Sequence, residues 1–153
     1  MNFLSRVLIY SNNMLRILSI FTIFLLLNVS SVSSSNFNYG SGYAAKSVLA
    51  SQSLINAMDK IDNRIYAVGE HGIILYSDDF GDSWTQAESV PYTSTLTDIS
   101  CSSKQSCWVT GHDATILHSN DHGVTWIKQY EDLDWDAPLL SIHMFDDMEG
   151  IAI

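Results

Sequence analysis

The chain has 153 residues, of which 46% are hydrophobic and 16% are charged. This composition excludes an intrinsically disordered chain, because it supplies enough apolar side chains for a core and little charge. Of the 7 basic residues, Arg6 and Arg16 lie within residues 1–35, so the rest of the chain sets 5 basic side chains against 17 acidic ones. Such a surface repels phosphate, which argues against nucleic acid as a partner and against docking on an anionic membrane through a basic patch.

The N-terminal residues have the pattern of an export signal. Residues 17–27 read ILSIFTIFLLL, directly after Arg16, and residues 28–35 are mostly small. This pattern predicts a secretory signal peptide over residues 1–35, with Val32 and Ser34 at the cleavage site. The alternative is an uncleaved membrane anchor over residues 14–32. Both predict that residues 36–153 are exported, for example to the periplasm.

An internal repeat follows this segment. Residues 64–86 match residues 106–128 at an offset of 42, and residues 140–153 resemble residues 96–109 at an offset of 44. Alternating apolar and polar residues, with glycines between the runs, predict four short strands in each copy. In the second copy we expect strands at about residues 95–102, 106–111, 115–119 and 125–131. A repeat of about 40 residues that holds four strands is a propeller blade.

The sequence therefore predicts an all-β fold, a β-propeller segment of four-stranded antiparallel blades. We expect the blades at about residues 54–90, 95–131 and 139–153, the last of them incomplete. About two and a half blades cannot close a ring, since propellers have about four to eight. We therefore expect either a fragment of a longer protein or assembly with other chains, and the sequence, which stops within a repeat, favours the fragment.

Each full copy contains an eight-residue turn of the form S-x-D-x-G-x-[ST]-W. The Ser and Asp side chains can bond to turn N–H groups, the Gly permits a positive φ, and the Trp covers the hairpin. Turns of this form are the Asp-box, or BNR, repeats that occur in sialidases and other propeller families. A carboxylate held by N–H groups is a poor acid or base, so these residues are predicted to be structural. They are Ser77, Asp79, Gly81, Ser83 and Trp84, and Ser119, Asp121, Gly123, Thr125 and Trp126.

The two cysteines, Cys101 and Cys107, flank a predicted turn between two strands. In an oxidising compartment their spacing suits a disulfide across the hairpin. The alternative is a pair of reduced, half-buried thiols. A zinc site is poorly supported, because there is no second Cys pair.

Candidate catalytic residues are sparse. A sialidase-like glycosidase needs an arginine cluster and a Tyr nucleophile, but Arg64 is the only arginine after residue 35. Four tyrosines are expected to be strand aromatics that pack between blades: Tyr66, Tyr76, Tyr92 and Tyr130. Asp146 and Asp147 are expected in a solvated turn. We predict no catalytic or cofactor-binding residue, and no small-molecule substrate is evident; the alternative is an Asp-box glycosidase.

The histidines do not indicate a metal site. They are His71, His112, His118, His122 and His143, and their spacing matches no metal-ligand pattern. The candidate binding residues are instead the acids and the aromatic of one segment, Asp132, Asp134, Trp135 and Asp136. The alternative for this segment is a flexible acidic loop.

The repeats read AVGEHGIILYSDDFGDSW, VPYTSTLTDISC and WVTGHDATILHSNDHGVTW. From about residue 54 to residue 153 the chain closely resembles the Ycf48/Hcf136-like family. The resemblance implies a seven-bladed, non-enzymatic propeller, and the family's named members are photosystem II assembly factors of the thylakoid lumen that bind assembly intermediates. Relatives in non-photosynthetic bacteria are exported. Positions that match the family are Arg64, Gly69, Gly72, Gly81, Gly111 and Gly123.

The chain departs from the family in three ways. It stops after fewer than three blades, Ala114 replaces a Gly of the second blade, and Phe80 and His122 replace Gly in the boxes. We expect a non-enzymatic exported scaffold whose partner is a protein, which the resemblance makes a membrane-protein complex or an assembly intermediate. The alternatives are a fragment of an Asp-box glycosidase and a non-functional truncated product.

Overall fold

The structure, a computed structural model, describes residues 42–135 and 137–153. The predicted signal peptide and the candidate residue Asp136 lie outside the described residues. Those described belong to one compact unit, Asn38–Ile153, and their regular elements are ten strands and two short 3₁₀ turns. The predicted all-β class is confirmed.

The first blade is a four-stranded antiparallel sheet whose strands follow chain order. They are β1 (Ile55–Ile61), β2 (Arg64–Gly69), β3 (Ile74–Ser77) and β4 (Thr85–Gln86). The β2–β3 connection is a 3₁₀ turn over Glu70–Gly72, in which His71 has a φ of 57°. The β3–β4 connection is the first Asp-box.

The second blade repeats this arrangement. Its strands are β5 (Leu96–Cys101), β6 (Cys107–Gly111), β7 (Ile116–Ser119) and β8 (Ile127–Tyr130), and each lies inside its predicted range. A third, two-stranded sheet pairs β9 (Ile142–Met144) with β10 (Gly150–Ala152) in antiparallel register. The predicted propeller-blade architecture is confirmed by these sheets.

Alternation along the strands distributes the core over both faces of the first blade. Tyr66 and Val68 of β2 point into the cluster shared with the second blade, where Val109 and Leu117 meet them. Ala67, which lies between them, points into a smaller cluster on the opposite face. Successive strand residues face opposite sides of a sheet, so the period of two seen in the sequence places these residues correctly.

The segment after β4 joins the two blades through its backbone. Glu88 N–H donates to the Val124 carbonyl at 2.7 Å, and Trp126 N–H donates to the Ser89 carbonyl at 2.9 Å. Ser89 and Thr125 form a parallel bridge there. The second Asp-box is therefore hydrogen-bonded to the preceding blade as well as within itself.

Residues before β1 run along the outer strand of the first blade. The Gln86 side chain accepts from Ser47 N–H and donates to the Ala45 carbonyl, both at 2.9 Å. Ala44 N–H donates to the Val90 carbonyl at 2.9 Å. Gln86 thus fixes the path of the chain before β1, which the strand pattern of the sequence does not predict. Over the described residues, the search for a helix of membrane-crossing length and hydropathy found none.

Candidate binding site

The first Asp-box is a closed hydrogen-bonded turn. Ser77 Oγ accepts from Gly81 N–H at 2.8 Å and donates to Asp79 Oδ1 at 2.7 Å. Asp79 in turn accepts from Ser83 N–H at 2.9 Å and from Ser83 Oγ at 2.5 Å. The polar side chains thus supply the bonds that the turn takes away from the strand ladder.

The second box repeats this network with Ser119, Asp121, Gly123 and Thr125. Its Trp126 is 3% exposed, and its indole N–H donates to the Gly123 carbonyl at 3.0 Å. Trp84 of the first box is only half-buried. The difference arises because Trp126 packs into the cluster between the two blades.

The carboxylates of both boxes are held in the charged form. Hydrogen bonds from the Ser83 hydroxyl and N–H lower the pKa of Asp79 from 3.8 to about 2. Partial burial raises the pKa of Asp121, but hydrogen bonds from Thr125 and Ser119 outweigh burial, so the pKa lies below its ordinary value. A carboxylate whose pKa is lowered in this way is a weak base, and the bonds of both carboxylates go to groups of their own turns.

Arg64 connects the two boxes. Its guanidinium binds both carboxylate oxygens of Asp78 at 2.7 Å and donates to the His122 carbonyl at 2.7 Å. It also lies 4.3 Å from the centre of the Tyr76 ring. Because all of these contacts hold protein groups, Arg64 acts as a clamp between blades. The sequence singled out Arg64 as a lone arginine but gave no signal for this role.

The structure joins Cys101 and Cys107 in a disulfide across the β5–β6 hairpin. Cys107 is fully buried. Beside it, Ser106 Oγ lies 3.2 Å from His118 Nε2 and accepts from the indole N–H of Trp108 at 3.2 Å. The Trp108 and His118 rings stack at 4.1 Å. Burial lowers the pKa of His118.

This Ser–His pair touches the turn of the third sheet rather than an open site. Ser106 Oγ donates to the Asp147 carbonyl at 3.4 Å, and Ser102 Oγ donates to the Asp147 carboxylate at 2.6 Å. The Asp146 carboxylate accepts from two N–H groups of the same turn. The two acids expected in a solvated turn thus lie in one: Asp146 closes the turn, and Asp147 ties it to the β5–β6 hairpin.

The predicted tyrosines differ in position. Tyr66 and Tyr76 lie on β2 and β3, and Tyr130 ends β8. Tyr92 was wrongly expected on a strand: it lies on the segment after β4, directly after Pro91, which has no N–H for a strand ladder. It is 4% exposed and donates its hydroxyl to the His112 carbonyl at 2.8 Å.

The histidines are dispersed. His118 lies on β7 and His143 on β9, whereas His71, His112 and His122 lie in turns. Within residues 42–135 and 137–153, no group of three or more His, Cys, Asp or Glu residues is placed to hold a metal ion.

The candidate segment after β8 is held by hydrogen bonds that its backbone N–H groups donate. Asp132 N–H donates to the Asp113 carbonyl at 3.0 Å, and Trp135 N–H donates to the Asp132 carbonyl at 3.2 Å. Asp134 N–H donates to the Asp132 carboxylate at 3.1 Å. These bonds present the Trp135 ring on the surface, 57% exposed.

Trp135 lines an open apolar cleft of about 330 Å³ between the second blade and the third sheet. The other lining residues are Ala114, Ile116, Tyr130, Leu139 and Ala152. The sequence indicated Trp135 but missed the rest, which come from three elements far apart in the chain. No local pattern singles them out, because they read as ordinary apolar residues of the repeat.

No protein-family model and no curated protein matches the chain. Among solved structures, it is similar to YCF48 bound to D1 peptide, with a TM-score of 0.57 and 21% identity over 66% of this chain and 34% of that one. It is also similar to YCF48 from Cyanidioschyzon merolae, with a TM-score of 0.56 and 20% identity over 66% of this chain and 31% of that one. The chain thus spans about a third of the length of both structures. Its fold is that of a Ycf48-like β-propeller, and for the fold the predicted resemblance is confirmed.

Proposed function

We propose that this protein is a non-enzymatic β-propeller scaffold that binds a polypeptide partner at the cleft beside Trp135. The observation that carries the proposal is the lining of this cleft, in which Tyr130 and Trp135 lie beside aliphatic residues. Large aromatic side chains beside an apolar pocket are typical anchors of protein interfaces. All the lining residues among those described are apolar or aromatic, which favours a protein side chain over a sugar or a phosphate.

The charge of the molecule sets the type of partner. The rest of the chain after residue 35 has 17 acidic and 5 basic side chains, and Asp132 and Asp134 lie next to Trp135 in the chain. An acidic field speeds association with a basic partner and disfavours an acidic one. We therefore propose a polypeptide that combines a large apolar anchor with basic residues around it.

More specifically, we propose that the partner is a segment of a membrane-protein complex, which the protein binds after its export, as in photosystem II assembly. It is motivated by the likeness to YCF48 bound to D1 peptide and by the signal-like residues 1–35. Export is tested by cell fractionation together with the mass of the recovered chain. A chain found only in the cytoplasm and still carrying residues 1–35 would overturn this part of the proposal.

Binding is tested by titrating the purified protein with a D1 peptide in a calorimeter. The test variant is Trp135→Ala and the matched control is Val48→Ala, which changes a residue that is 98% exposed on the first blade, outside the cleft. Loss of a central aromatic anchor costs about 2 kcal/mol, or roughly thirtyfold in affinity. We expect that loss for Trp135→Ala and unchanged binding for Val48→Ala.

Two outcomes would count against the proposal. Equal binding by the two variants would place the interface elsewhere on the molecule. Absence of binding to the D1 peptide by every form would overturn the proposal that the partner resembles D1.

A further inference from the structure

The first two strands of each sheet are joined by a hairpin turn, and the three turns are closed in different ways. In the first blade the turn is only residues 62–63, which is the shortest common hairpin connection. In the third sheet the Asp146 carboxylate closes the turn by accepting from two of its N–H groups. In the second blade the turn is longer, residues 102–106, and the Cys101–Cys107 disulfide closes it. Of the three turns, only this one is closed by a bond that a reductant can break.

This middle turn contacts the sheets on both sides of it. Lys104 Nζ lies 3.0 Å from the Asp62 carboxylate of the first blade, and both side chains are more than half exposed. On the other side, Ser102 Oγ donates to the Asp147 carboxylate at 2.6 Å, and Ser106 Oγ donates to the Asp147 carbonyl at 3.4 Å. The position of the middle turn therefore affects how the third sheet is held against the second blade.

The strand that enters the middle turn holds the third sheet as well. Ile142 N–H donates to the Asp98 carboxylate at 2.9 Å, and Met144 N–H donates to Ser100 Oγ at 3.0 Å. Alternate residues of an antiparallel strand direct their N–H groups away from the partner strand, so β9 uses these two for β5 and not for β10. A shift at the end of β5 must loosen both bonds, because side chains and not a backbone ladder accept them.

The two sulfur atoms of the disulfide differ in their freedom to move. Cys107 is fully buried in the same cluster as Val109, whereas Cys101 is half-buried. Two thiols need more room than one disulfide, because non-bonded sulfur atoms lie farther apart than bonded ones. On reduction Cys101 therefore moves outward, together with Ser102, and the bond from Ser102 to Asp147 is weakened.

We infer that the Cys101–Cys107 disulfide is a redox-sensitive link that holds the third sheet on the second blade, and that a dithiol reductant releases this sheet. One thiolate of the dithiol attacks Cys101 Sγ, the disulfide bond breaks, and Cys107 Sγ leaves as a thiolate that takes up a proton. The second thiolate of the dithiol then displaces Cys101 Sγ, which also takes up a proton. Two electrons and two protons thus pass from the dithiol to the protein, and the dithiol becomes a disulfide.

The test is hydrogen exchange measured by mass spectrometry on the full chain, with and without excess dithiothreitol. Peptides that contain β9 report the release, because the N–H groups of Ile142 and Met144 bond to β5. Peptides that contain β2 and β3 are the internal reference, since these strands lie in the first blade. We expect reduction to raise the exchange rate in β9 at least about tenfold and to leave the rate in β2 and β3 unchanged.

A variant without the disulfide separates the effect of the bond from other effects of the reductant. The chain has two cysteines, so Cys101→Ser with Cys107→Ala leaves no thiol. This variant should show the fast exchange of β9 in the absence of reductant, and dithiothreitol should not change it further.

Two single variants of the middle turn form a matched pair with the disulfide intact. Ser102→Ala removes the bond to Asp147 and is expected to raise the exchange of β9 by part of the effect of reduction. Lys104→Ala removes the ion pair with Asp62 on the other side of the turn, and is expected to leave β9 unchanged.

Two outcomes would overturn the inference. The first is unchanged exchange in β9 although the mass after alkylation shows that both thiols are free. The second is an equal rise in β9 and in the first blade, which would mean that the disulfide stabilises the whole fold and not this junction. Neither outcome bears on the proposed function, because no partner takes part in the experiment.

Discussion

Arg64 and His122 are joined across two blades: the guanidinium Nη1 of Arg64 donates to the His122 carbonyl at 2.7 Å. The same guanidinium donates two further hydrogen bonds of 2.7 Å to the Asp78 carboxylate. The Asp78 hydrogen bond raises the pKa of Arg64, and the Arg64 hydrogen bond lowers the pKa of Asp78. One planar cation thus holds the turns of both Asp-boxes in a fixed relation.

Arg64→Lys is expected to destabilise the protein by about 1 kcal/mol, because an ammonium cannot form the two parallel bonds and the carbonyl bond together. The estimate is kept low because the Asp78 side chain is 60% exposed. Urea unfolding of the two proteins measures the difference. The control is Lys104→Ala, whose ion pair with Asp62 has both partners more than half exposed. A loss of stability no larger for Arg64→Lys than for Lys104→Ala would show that the clamp contributes little.

Gly81→Ala and Gly123→Ala separate backbone strain from blade packing. Both glycines have positive φ, 97° and 75°, and an Ala costs about 1–2 kcal/mol in that region. A Cβ on Gly123 would also come within 2.5 Å of the Tyr66 ring, whereas a Cβ on Gly81 would meet only Trp84, at 3.6 Å or more.

We therefore expect Gly123→Ala to lower the free energy of unfolding by more than Gly81→Ala, by a further 1 kcal/mol or so. Thermal unfolding by circular dichroism gives both values. In a Tyr66→Leu background, Gly123→Ala should cost less than in the wild type, since that background lacks the ring edge. Equal effects of the two glycine substitutions would mean that the blades move apart without cost at this contact.

The lowered pKa of Asp79 predicts that the protein loses stability in acid. Its pKa falls from 3.8 to about 2 on folding, so the folded state favours the charged form. The contribution is present above about pH 4 and is lost as the pH falls from 4 to 2, where the folded carboxylate is protonated. We expect Asp79→Asn to be less stable than wild type at pH 7 and to lose less stability between pH 4 and pH 2.

Asp82→Asn is the matched control for this prediction, because Asp82 lies in the same turn with an exposed side chain. It should keep the wild-type decrease between pH 4 and pH 2. Parallel curves for Asp79→Asn and wild type over that range would show that the turn bonds do not depend on the Asp79 charge.

Removal of the disulfide should weaken the β5–β6 hairpin. Cys101 and Cys107 are separated by 6 residues in the sequence, and closing so short a loop contributes about 2 kcal/mol. We expect Cys101→Ser with Cys107→Ala to lose about this amount in urea unfolding. The wild type in excess reductant should approach the variant, and no change on reduction would mean that the bond contributes nothing to stability in solution.

The parts of the fold that depend on local residue patterns were predictable. Period-two alternation located β5 to β8, and the S-x-D-x-G-x-[ST]-W pattern located both turns, because each depends on neighbours in the chain. Arg64 was not predictable as a clamp, since its two partners are 14 and 58 residues away. The cleft was also missed, because Ile116, Leu139 and Ala152 meet only when the second and third sheets pack together, and nothing local distinguishes them from core residues.

The backbone bonds between the segment after β4 and the second Asp-box have a consequence for how the protein can be divided. They join residues 88 and 89, which follow the first sheet, to residues 124 and 126, at the Asp-box of the second sheet. A cut between the second and third strands of the second blade leaves Ser89 and Trp126 on different pieces. A shortened chain is therefore expected to keep these bonds only if residues 88–126 stay in one piece.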